Sequence, residues 1–135
     1  MKNKLTIAIS SAITGGVVAE FTQCLITEKW QFIAVLLVVL SDAFFGIWKA
    51  IKFGSFETNK AFKFIYMLVA FWLLLAVTLS MEKGFPFASF LSEAVMFPIL
   101  TFQIISIVKN LHLLGIVSGS LLEKILANID KHKEV

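Results

Sequence analysis

Residues 30–48 read WQFIAVLLVVLSDAFFGIW, a run in which Asp42 is the one charged side chain. As a helix rising ~1.5 Å per residue, it covers nearly the ~30 Å hydrocarbon core of a bilayer. The block Val35 to Leu40 is uninterrupted aliphatic and lacks the period-two alternation of a membrane barrel strand. A helix also satisfies its own backbone hydrogen bonds in lipid. Working outward, three more apolar runs stand at Leu5 to Thr27, Phe64 to Met81 and Phe85 to Val108. The chain of 135 residues is 59% hydrophobic and 16% charged, with mean hydropathy +0.90, too little polar surface to cover a water-soluble globule of that size. The expected fold is therefore all-α: an integral membrane protein with four transmembrane helices at about 5–27, 30–48, 64–81 and 85–108. Residues 1–108 form the membrane domain and 109–135 a cytoplasmic amphipathic tail.

All twelve basic residues are lysines, and ten of them flank one set of span ends: Lys2 and Lys4, Lys49 to Lys63, and Lys109 to Lys133. Only Lys29 and Lys83 occupy the other turns. Lysines near span ends are held on the cytoplasmic side during insertion, so both termini and the middle loop are expected to be cytoplasmic. Met1-Lys2-Asn3-Lys4 imitates the start of a signal peptide and Val17-Val18-Ala19 a weak cleavage site, but the apolar run continues through Leu25-Ile26 and reads as a retained span.

The first span is the least hydrophobic and the most patterned. Ala8, Ala12, Gly16 and Glu20 recur every four residues, beside a second row of Ser11, Gly15, Ala19 and Gln23. Small residues at that spacing let helices approach closely, either within one subunit or between copies. The third span is almost featureless and is expected to face lipid most. In the fourth, Pro98 removes a backbone donor and is expected to bend or open the helix near Ala94. Gly54 is expected to end the second helix, with Ser55 or Thr58 starting the next segment. In the tail, a break centred on Gly119 precedes a short helix with Ser120 and Glu123 as a capping box.

Glu20, Asp42 and Glu93 need explaining, because a carboxylate near the bilayer centre costs on the order of 3 kcal/mol. Gln103 adds a fourth polar intramembrane group. These residues read either as a polar pore lining, a proton-coupled site or oligomer contacts, or as plain interhelical hydrogen bonds. Three acids in one small protein suggest a shared wet surface. Other chemistry is not indicated. Cys24 stands alone, His112 and His132 are too isolated for a metal site, and no phosphate loop or catalytic triad is present. No cofactor, no enzyme activity and no nucleic-acid partner are expected; the lysines suit anionic lipid headgroups.

Two stretches carry a family resemblance. Asp42, Gly46, Lys49 and Lys52, followed by Ser55, Lys60 and Lys63, are similar to the aspartate–glycine–basic helix end and loop of the toxin-secretion and phage-lysis holins. Ser106, Asn110 and Gly115, with the helix around Leu122 to Leu126, resemble that family's tail. The resemblance runs from about residue 35 to 127, with Gln103 and Lys109 standing where the family usually has acids. It implies a small phage protein that accumulates in the bacterial host's cytoplasmic membrane, forms homo-oligomers and opens lesions that release or activate an endolysin. Two other readings remain: a small proton-coupled multidrug exporter using Glu20, and a non-pore accessory subunit of a membrane complex. Exporters of the dual-topology kind have balanced lysines, unlike the bias here.

Overall fold

A computed structural model describes residues 2–133; Met1 and residues 134–135 of the expected tail lie outside the described residues. The described residues form six α-helices: α1 Lys2–Thr27, α2 Lys29–Lys52, a single turn α3 Thr58–Ala61, α4 Lys63–Gly84, α5 Leu91–Leu113 and α6 Gly119–Lys133. Among the described residues there is no strand. Four segments of the described residues are long and apolar enough to cross a membrane, Asn3–Thr27, Lys29–Lys52, Thr58–Gly84 and Pro86–Leu113, and the chain is a multi-pass membrane protein.

The bundle is built on α2, α4 and α5, and α2 and α5 form its most extensive pairing. Phe32, Val35 and Val39 of α2 are buried with Leu75, Ala76 and Leu79 of α4, Met96 of α5 and Cys24 of α1. On α2 the stripe Phe32, Val35, Val39 continues through Asp42, Gly46 and Lys49, alternating steps of three and four. On α5 the corresponding stripe is Ser92, Met96, Ile99, Gln103, Ser106 and Asn110. Steps of three and four keep one face of a helix on its neighbour, the geometry of a coiled-coil seam. Met96 shares the core with Phe32 and Val35, while Asn110 meets Asp42 and Lys49, so the two helices run parallel. Their seam is apolar at the start and polar at the end. Trp72, mid-span on α4, ties α4 to α2: its indole N–H donates to the Phe32 carbonyl at 3.2 Å, and its ring meets that of Phe32 edge-on.

The third span is not the most exposed. α4 buries Leu75, Ala76, Thr78 and Leu79, whereas residues 3–20 of α1 are all exposed. An unbroken apolar run looks alike whether neighbouring helices or lipid will cover it. α1 joins the bundle through its last turns, where Phe21 packs edge-on against Phe32 and Cys24 is 1% exposed.

Helix ends depart from expectation in physically simple ways. α5 runs through Pro98 as one continuous helix, although Pro98 has no N–H to give the Ala94 carbonyl. The segment at Phe85-Pro86 opens with a 3₁₀ turn, Pro86–Ala88, and the α-helix starts at Leu91. Gly54 does end α2: its φ of +68° lets the Ser55 N–H turn back to the Ala50 carbonyl at 2.9 Å. The following turn does start at Thr58, with Glu57 in the N-cap position and no side-chain cap bond. In the tail the left-handed residue is Gly115, φ +81°, not Gly119, which is the first residue of α6. Ser118 replaces Ser120 as the cap, its Oγ accepting the Leu121 N–H at 3.3 Å.

Candidate functional site: a polar latch where α2 and α5 end

The sequence motifs around Asp42–Lys49 and Ser106–Gly115 come together at one end of the bundle. Lys49 Nζ donates to Asn110 Oδ1 at 2.8 Å, and Asn110 Nδ2 donates to Asp42 Oδ1 at a longer 3.4 Å. Lys52 Nζ donates to the carbonyl of Leu114 at 3.0 Å. The asparagine amide, 7% exposed, thus sits between a cation and an anion of α2, giving its carbonyl to one and its amine to the other. Gly46 lies beside it. A Cβ at Gly46 would stand 3.7 Å from Asn110 Nδ2, ordinary van der Waals distance, so this position accepts alanine and excludes bulk.

The latch forms where it does because both helices end there. Lys49 and Lys52 occupy the last turn of α2, where cations complement the carbonyl end of the helix dipole. At the end of α5 the Gly115 turn frees the Leu114 carbonyl to accept Lys52. Apolar association gains little in lipid, where tails are as apolar as leucine. Polar ties across the seam, each about 0.6 kcal/mol and up to about 1.7, therefore count for more in register than their size suggests.

The remaining polar residues are dispersed. Glu20 stands 3.9 Å from Lys83 of α4, both side chains about half-exposed, a weak pair. Glu93 is exposed in the first turn of α5. Within a subunit, none of Glu20, Asp42 and Glu93 is bonded to another among the described residues. Gln103 is buried in the α5 stripe, 7% exposed, and its Oε1 has no hydrogen-bond partner among the described residues. Ser106 lines a cleft beside the latch. Ala12, Gly15 and Gly16 face outward, and nothing lies within 4 Å of a Cβ built on either glycine. His112 and His132 each bond a nearby backbone carbonyl, of Val117 and Asn128.

One anchoring residue escaped the sequence reading. Glu82 Oε1 accepts the Ser92 N–H at 2.6 Å, placing a carboxylate at the positive end of α5. Glu82 belongs to the last turns of α4, ten residues earlier, and no local pattern pairs the two.

The profile of the Bacteriophage holin family matches residues 20–131. The chain belongs to that family. The match takes in every residue of the latch and α6 up to Lys131, and it leaves Ala12, Gly15 and Gly16 outside. It supports a membrane-permeabilising role of the phage-holin kind, and the family is not one of enzymes. No curated protein and no solved structure gives a match.

Proposed function

We propose that the chain is a phage holin that self-assembles in the cytoplasmic membrane of a bacterial host and permeabilises it, letting an endolysin reach the cell wall. The family match over residues 20–131 carries this reading. Self-assembly is supported by α1. Residues 3–20 are all exposed in the subunit, yet two of the rows there are small enough for close helix contact. A second copy of α1 is the occupant this surface suits.

The orientation with both termini inside is supported by the lysine asymmetry and by its spatial outcome. Lys49, Lys52, Lys60 and Lys63 gather around the latch and its cleft, with Lys109 at the same end of α5. We read α6 as the amphipathic tail helix. Leu122, Ile125, Leu126 and Ile129 are half-buried, whereas Glu123, Lys124 and Lys131 are exposed. α6 folds back along α5, with Ile125 and Ile129 beside Leu100, Thr101 and Ile104. Charges at that depth of a span are penalised by lipid, so the outer side of docked α6 requires water or a second subunit. An assembled lesion supplies both.

The test is inducible expression in a heterologous bacterium together with an endolysin lacking a signal peptide. Turbidity should fall abruptly only when both proteins are present. Healthy growth with saturable, Glu20-dependent efflux of cations would instead make the chain an exporter.

A further inference from the structure

Beside the latch, α2, the α3 loop, α4 and α5 enclose a cleft of about 430 Å³. Its lining carries Lys49, Lys60 and Lys63 with the carboxylates of Asp42 and Glu57, and includes Ser55. Both acids are already engaged: Glu57 receives Lys60 Nζ at 2.8 Å, and Asp42 accepts from Asn110. Lys63 is exposed and has no ion-pair partner among the described residues. The lining therefore holds one positive charge in excess, from three lysines against two acids. The same lining also has apolar side chains, Val39, Ile47, Phe64 and Met67. Val39 lies ten residues before Lys49 on α2, or ~15 Å along the helix axis. A free anion would use only the charged part of this lining. A ligand with a charged head and a hydrocarbon chain would use both parts.

We propose that this cleft binds a monoanionic phospholipid, its phosphodiester between Lys63 and Lys49 with Ser55 Oγ donating, and one acyl chain along Phe64 and Met67. The single excess charge matches one phosphodiester, as in phosphatidylglycerol, rather than a dianionic phosphate. Basic pockets between transmembrane helices at the cytoplasmic side are a known binding place for anionic lipid headgroups. The site rests on the reading that the loop between α2 and α4 lies at the membrane–water boundary. Occupied, it would brace α2 against α4 next to the α2–α5 latch, coupling subunit shape to lipid composition.

The test uses the full chain purified in mild detergent, with phosphatidylglycerol and phosphatidylethanolamine of identical acyl chains added in equal amounts and retained lipid measured by native mass spectrometry. Phosphatidylglycerol should be retained preferentially. Lys63→Gln should weaken that retention about fivefold, the effect of one lysine near an anionic headgroup. Lys63→Arg should preserve it, as should Lys109→Gln, which removes an equal charge from an exposed site at the same end of the bundle but outside the cleft. Met67→Trp, which fills the apolar part and spares the lysines, should also reduce it. Equal retention of the two lipids would overturn the proposal, as would equal losses in Lys63→Gln and Lys109→Gln. Inorganic phosphate raising the melting temperature as much as phosphatidylglycerol would reassign the site to a free anion and also overturn it. The readout is lipid retention, so its failure is distinguishable from a failure to permeabilise membranes.

Discussion

Lys49 and Asn110, 61 residues apart in the chain, meet at 2.8 Å and fasten the ends of two parallel helices. The bond explains why the two short motifs occur in one sequence: each supplies half of a single contact. A double-mutant cycle of Lys49→Met and Asn110→Leu, followed by thermal unfolding in detergent, should return a coupling of about 1 kcal/mol. Strict additivity would mean that the two side chains do not interact.

Gly16→Leu separates subunit stability from assembly. Since nothing lies within 4 Å of a Cβ at Gly15 or Gly16, the substitution should leave the melting temperature of the detergent-solubilised monomer unchanged. It should shift the assembled species to smaller mass by blocking close helix approach. Light scattering coupled to size exclusion measures both states, and a large drop in monomer stability would show that α1 packs within the subunit.

Gln103 is a buried amide with an unmet acceptor. Replacing such a group by an apolar one of similar size removes a desolvation penalty, so Gln103→Leu should raise stability by roughly 1 kcal/mol. If the variant assembles normally but permeabilises poorly, Gln103 meets its partner only in the open lesion.

Single cysteines at Phe56 and Lys124 in a Cys24→Ala background should resist an impermeant thiol reagent in intact cells, whereas cysteines at Lys29 and Lys83 should react. The exposed positions chosen report sidedness without disturbing the core. External labelling at Phe56 would reverse the orientation.

Much of the fold was legible because lipid imposes a simple code. Uninterrupted apolar length announces a helix, and α2 and α4 begin within a residue of the expected positions. Helix ends were harder. Lys109 looks like a boundary, yet α5 continues to Leu113 because that lysine points outward while Val108 and Asn110 on either side are buried. The choice of Gly115 over Gly119, and of Ser118 over Ser120, depends on which residue takes φ > 0, a tertiary outcome once α6 folds back on α5. Asp42 was identifiable as a charge inside an apolar run, and Lys49 and Asn110 through the family resemblance. Their partners were not, since Lys49 with Asn110, Glu20 with Lys83 and Glu82 with Ser92 are pairings between helices that spacing along one helix does not encode.

The central claim, that this chain itself breaches the membrane barrier by assembling, is tested most directly by recording membrane potential in cells expressing it alone, beside cells expressing Gly16→Leu at equal level. The account predicts a delayed, abrupt depolarisation with the natural sequence and a later or absent one with Gly16→Leu. A potential that stays intact while the natural protein accumulates fully inserted would contradict it.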